Sequence, residues 1–134
     1  MAGETIGRKE ANRYDKILKE NMESVLPVII KEVLKFDIVK SQEISDGLQY
    51  TKERKPDVLK KITDRDNNTF ILHLEWQSQN DNNMVYRMAE YAVMLYRKYR
   101  LPVEQYVVFM GDDGMTMSRN INCKNFKLNT MFLN

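Results

Sequence analysis

The stretch that most constrains this chain is Phe70 to Gln77, Phe-Ile-Leu-His-Leu-Glu-Trp-Gln. It is apolar, rich in aromatic and branched residues, and bounded by the polar runs 64–69 and 78–83, which marks a buried strand. Side chains alternate along a strand, so Phe70, Leu72, Leu74 and Trp76 share one face. Ile71, His73, Glu75 and Gln77 share the other. That second row carries a carboxylate, an amide and the chain's single histidine. A buried carboxylate is costly unless it is paired or bound to a metal. The rest of the chain is therefore read outward from Glu75.

The bounds are those of an ordinary globular domain. The 134 residues leave room for one core, and 43% hydrophobic with 30% charged residues is the balance expected of a soluble protein. A net charge of +2 does not by itself announce a nucleic-acid binder, although a local patch can serve where the total does not. The lone Cys123 excludes an intrachain disulfide framework and a cysteine zinc cluster. No apolar run approaches the ~20 residues of a membrane span, and no signal-peptide core follows the polar start. These features predict a cytoplasmic protein with no membrane partner.

Residues 1–11 are polar and read as a flexible N-terminus. From Asn12, Tyr14, Leu18, Met22, Val25 and Leu26 return at helical spacing. Pro27 should end or kink that helix, or open a second one running from Val28 to Leu34. Residues 47–51 are a weak strand candidate. Pro56-Asp57 enters a strand to about Thr63, the run 64–68 is turn chemistry, and the Phe70 strand completes a hairpin. Met84, Met88, Ala92, Leu95 and Tyr99 keep helical period up to Pro102, with caps offered by residues 80–83. Gln105 to Met110 is a second apolar strand, and the intervening helix makes it a parallel neighbour of the Phe70 strand. One further strand is expected over 127–133, where the chain stops at a sheet edge, as a truncated chain would.

The hairpin makes a sharper point. With the turn centred on Asp66, Asp57 falls directly opposite Glu75 and Leu59 opposite His73. Opposed residues point to one face with Cβ atoms about 5 Å apart. Two carboxylates that close repel unless a cation, a shared proton or a basic side chain intervenes.

Pro56-Asp57 on one hairpin strand, Glu75-Trp76-Gln77-Ser78 on the next, and Arg87-x-x-x-Tyr91 on the following helix resemble the PD-(D/E)XK nuclease superfamily. More narrowly they resemble its recombination-promoting nuclease and putative-transposase branch, where Gln stands in the place of the motif lysine. Tyr14-Asp15 fits the same pattern, and the resemblance covers about residues 12–111. It implies an α/β fold with a restriction-endonuclease-like core, a central mixed sheet flanked by helices in the order αβββαβ. The corresponding division is a nuclease-like domain over 12–114 and a C-terminal extension over 115–134. It also implies hydrolysis of DNA phosphodiesters with Mg²⁺, or Mn²⁺ in its place, held by Asp57, Glu75 and the backbone carbonyl of Trp76. Gln77 would orient a water or bind a phosphate oxygen, and Asp15 would add an acidic group from the first helix. Lys55 and Lys61 would contact the phosphate backbone, Arg87 and Tyr91, four apart on one helical face, would reach phosphate or buttress Glu75, and a homodimer is compatible with the pattern.

Each residue has a plainer alternative. Asp57 and Glu75 can be strand-end carboxylates paired with Lys60, Lys61 or Arg87, and Asp15 can be an acid favoured by its helix dipole. The lysines are most simply a solvated face. Gln77 can be a hydrogen-bonding residue at a strand end, and His73, which the family pattern does not require, a structural one. Gln77 supplies neither the charge nor the proton of a lysine, so the competing function is a catalytically inactive nuclease-fold module that binds DNA or protein. A transposase of the ribonuclease-H type would need a further acidic residue far downstream on a helix, and the sequence offers no clear one.

Overall fold

The computed structural model describes residues 22–44, 56–129 and 131–133. The candidate strand at 47–51 and the helix before Met22 lie outside them.

Helix α1 (Met22–Val28) contains Pro27 and passes without interruption into a π-helical turn, Ile29–Val33. A proline inside a helix ends it, kinks it or opens a new one. The chain instead widens its turn directly after it, closing with the Leu34 amide on the Ile29 carbonyl at 3.0 Å. The apolar residues Leu26 and Ile30 then lie buried on one side.

Strand β1 (Ile38–Glu43) is an edge strand, exposed along nearly all its length. It carries Lys40, a register shift between Ile38 and Lys40, and the Glu43–Lys60 ion pair at 3.2 Å. Charge and irregularity of this kind discourage edge-to-edge pairing. Its lack of apolar alternation is why the sequence carried no clear signal for it.

Strands β2 (Val58–Asp64) and β3 (Thr69–Gln77) form the expected hairpin. Leu59 pairs with His73 and Thr63 with Thr69, the register implied by a turn centred on Asp66. The turn is secured by Asn67 in the left-handed region, φ 64°, and by the Asn68 amide on Asp64 Oδ1 at 2.9 Å. Helix α2 (Met84–Tyr99) ends at Arg100 in the left-handed conformation, and β4 (Val103–Phe109) returns parallel to β3.

The tail departs from the single strand expected over 127–133. Strands β5 (Asn120–Cys123) and β6 (Phe126–Asn129) form a small antiparallel pair of their own. Strand β7 (Met131–Leu133) joins the main sheet parallel to β4, with Phe132 buried beside it. The polar, exposed Lys127 and Asn129 have no core to face, whereas Phe132 does.

The result is a mixed five-stranded sheet in the order β1-β2-β3-β4-β7 with helices on its two faces, consistent with a restriction-endonuclease-like core. Leu26 and Ile30 pack on Val58, Ile62, Phe70, Leu72, Leu74 and Trp76. On the other face α2 lays Tyr91 and Leu95 on Leu59 and Ile71, and Met84 and Met88 on Val107 and Phe109. Gly111 ends β4 in a cramped position, where a Cβ would lie 2.5 Å from the Phe109 ring and 2.7 Å from the Ser78 carbonyl. The carboxyl ends of β3 and β4 are thereby held close, next to the polar row of β3. Among the described residues, no helix is long and apolar enough to cross a membrane.

Candidate active site

The site is built where β2 begins and β3 ends. Asp57 immediately precedes β2, and Glu75 stands near the end of β3 on the face covered by α2. The Trp76 amide donates to Asp57 Oδ2 at 2.8 Å, and the Asp57 amide makes a longer contact of 3.4 Å to Glu75 Oε2. The backbone ladder itself stops at Val58 and Leu74, and these two backbone-to-side-chain bonds tie Asp57 to the end of β3. A residue of an antiparallel strand projects its N–H and C=O to the same side. The Trp76 carbonyl therefore lies on the Asp57 side, whereas the Gln77 carbonyl turns to β4 and accepts from the Met110 amide at 2.9 Å.

His73 is fully buried, and Glu75 is 7% exposed. The His73 Nε2 lies 3.1 Å from Glu75 Oε1, a contact that is an ion pair only if the ring is protonated. Burial pushes its pKa from 6.5 down to about 4, against an opposing pull from the Asp57 charge. The Gln105 side-chain nitrogen sits 3.0 Å from Nδ1, and protonating that atom would set two donors against each other. Both effects keep the ring neutral, so the contact with Glu75 is a hydrogen bond.

Gln77 ends the same row. Its Oε1 accepts from the Arg87 guanidinium at 3.4 Å, which also approaches Asp81 at 3.6 Å and the Met84 sulfur. Arg87 thus reaches from the first turns of α2 to the glutamine that occupies the lysine position. Tyr91, four residues on, is 1% exposed and packs edge-on against His73 with ring centroids 4.9 Å apart. Of the two places the sequence leaves open for it, at phosphate or behind Glu75, it lies on the second side, under the site, because its helical face is the one that meets the sheet. Lys61 is exposed on the Asp57 face, four residues and about 13 Å along the strand. Asp15 and Lys55 lie outside the described residues.

Two contributors carry no motif in the sequence: Gln105 reads there as the first residue of an apolar strand, and Asp81 as one of several helix caps. The parallel register that places Gln105 beside His73 appears only once β3 and β4 are paired.

The oxygen donors available here suit Mg²⁺, which takes hard ligands and keeps several waters, so that one or two carboxylates suffice. Among the described residues, no group of three His, Cys, Asp or Glu side chains could hold a metal ion.

The model of the family described as "putative transposase, YhgA-like" matches residues 10–108, which include every element from α1 to most of β4. The chain belongs to that family. Its members fall in the PD-(D/E)XK-like transposase group, so a nuclease-like or transposase-related role and an interaction with DNA follow from membership. No curated protein and no solved structure matches the chain.

Proposed function

We propose that this YhgA-like protein is a metal-dependent endonuclease that hydrolyses DNA phosphodiester bonds, akin to the recombination-promoting nucleases. The observation that carries the reading is the meeting of Asp57 and Glu75 through the 2.8 Å Trp76 amide bond at the mouth of the β2–β3 hairpin. Asp57, Glu75 and the Trp76 carbonyl would hold Mg²⁺ or Mn²⁺. A bound divalent cation supplies Lewis-acid activation of the phosphate and of a water nucleophile. Gln77 positions that water or a phosphate oxygen through its amide, since it has no proton to give at neutral pH. Arg87 brings the positive charge that a lysine at position 77 would otherwise bring, from the helix rather than from the strand. Lys61, farther along the same face, steers the phosphate backbone.

The second reading, an inactive nuclease-fold module that only binds DNA or protein, is favoured by one observation. The Gln77 side chain is already engaged by Arg87. Nicking of supercoiled plasmid with Mg²⁺, Mn²⁺ or EDTA separates the two. The nuclease reading expects nicking by wild type that EDTA abolishes and Asp57→Asn lacks. Equal trace nicking in wild type and Asp57→Asn, with DNA binding retained, establishes the binding module instead.

A further inference from the structure

The chain has one histidine, and it lies wholly inside the protein next to a carboxylate of the proposed site. The hydrogen bonds that reach it fix a direction. The Met88 carbonyl can only accept, so the Gln105 group facing it at 2.8 Å is the amide nitrogen. The same nitrogen lies 3.0 Å from His73 Nδ1. One of its protons serves Met88 and the other points at the ring, which makes Nδ1 an acceptor. A neutral imidazole then carries its proton on Nε2, 3.1 Å from Glu75 Oε1. Tyr91 packs against the ring at 63° and keeps its plane. Oε1 thereby takes the closer, ring-held donor, and Oε2 is the atom turned toward Asp57, whose amide lies 3.4 Å away.

We propose that Gln105 and His73 are positioning residues, which anchor Glu75 through Oε1 so that it offers a divalent cation the single oxygen Oε2. The role rests on the nuclease reading above. A glutamate has three side-chain torsions to order, and a hydrogen bond from a fixed donor removes that freedom before the cation arrives. Hydrogen-bond partners behind a ligating carboxylate typically change metal affinity by about 10–100-fold when removed. A merely structural histidine would be replaceable by an apolar residue of similar size with no effect on metal.

The test uses the full chain. With a single histidine, the imidazole ¹H–¹⁵N signals need no assignment. The expected result at neutral pH is the Nε2–H tautomer in wild type and a shifted or mixed tautomer in Gln105→Leu; an Nδ1–H ring in wild type overturns the proposal. Calorimetric titration with Mg²⁺ alone, and with Mn²⁺ alone, gives the second readout. Affinity should fall about 10–100-fold in His73→Leu. It should be kept within about threefold in His73→Gln, whose amide nitrogen can stand near the Nε2 position. If His73→Leu does not fold, Gln105→Leu takes its place, and it should bind more weakly than His73→Gln. A folded His73→Leu that binds metal as wild type does overturns this role alone. A wild-type chain that binds neither cation overturns the nuclease reading and this role with it.

Discussion

The two faces of β3 share one backbone and differ in almost everything else. Toward α1 stand Phe70, Leu72, Leu74 and Trp76, all buried, packed on Val58, Ile62, Leu26 and Ile30. Toward α2 stand Ile71, His73, Glu75 and Gln77, apolar at the start of the strand and polar toward its carboxyl end. Each fully buried leucine on the first face contributes about 1.5–3 kcal/mol through burial alone. On the second face, burial of His73 and Glu75 works against stability, and the hydrogen bonds to Gln105, to the Asp57 amide and to each other offset it. The apolar face holds the strand in place, and the polar face can then afford groups that a free-standing strand could not bury.

If the faces divide the work this way, the largest effect should come from the polar one. Asp57→Asn and Glu75→Gln should each lower metal-dependent nicking by at least about 10²–10³-fold, roughly 3–4 kcal/mol of transition-state stabilisation. Stability without metal should move by no more than about 1 kcal/mol, since each change keeps the shape and a hydrogen-bonding side chain. Plasmid nicking and urea unfolding on the same preparations check the pair of outcomes. Unfolded variants would place Glu75 among the structural residues.

On the apolar face the signs reverse. Leu72→Ala removes a side chain with no exposure and should cost about 2–5 kcal/mol in urea unfolding. Its folded fraction should bind Mg²⁺ as wild type does. Weaker binding by a variant that remains folded would show that the two faces are coupled through the strand.

How much of this was legible depended on whether the signal was local. The β2–β3 register followed from a turn written in five consecutive residues, and the parallel β4 from the helix between two apolar runs. Pairing Asp57 with Glu75 needed nothing more. Strand β1 showed only as a connection over 36–47 holding the start of a strand, because an exposed edge has no apolar alternation to show. The passage of a helix through Pro27 depended on a π-helical turn that periodicity does not encode. Gln105 carried no motif, since its meaning comes from a parallel partner 32 residues away. The buried position of Tyr91 followed from which side of α2 meets the sheet, and spacing from Arg87 alone does not fix that.

A third, smaller effect separates the faces by pH. His73 has a pKa near 6.5 when unfolded and about 4 in the fold, where burial disfavours its charge. The unfolded chain therefore takes up the proton first as pH falls. The stability contributed by the neutral ring is complete above about pH 6.5 and is lost progressively down to about pH 4, to a total of roughly 3 kcal/mol. Urea unfolding of metal-free wild type and His73→Gln across this window separates the ring's contribution from those of the carboxylates. Parallel curves for the two chains would mean that the ring does not titrate as described.

The smallest effect belongs to the one polar atom on the apolar face. Trp76 Nε1 is buried and has no hydrogen-bond partner among the described residues. An unpaired buried N–H costs about 1–3 kcal/mol. Trp76→Phe removes it, but it also removes ring volume and leaves a gap against Leu74 and Val58 that costs stability in turn. These terms oppose each other, so the net change should stay within about 1 kcal/mol, well below that of Leu72→Ala. The backbone of Trp76 serves the other face, where its amide holds Asp57, and phenylalanine leaves that amide in place. Nicking and Mg²⁺ affinity should therefore be unchanged in Trp76→Phe. A loss of more than about 2 kcal/mol would show that the indole N–H is satisfied after all. A loss of nicking at unchanged stability would show that the indole, from the far side of the sheet, sets the position of the Trp76 amide, and the separation of the two faces would fail at the residue where they meet.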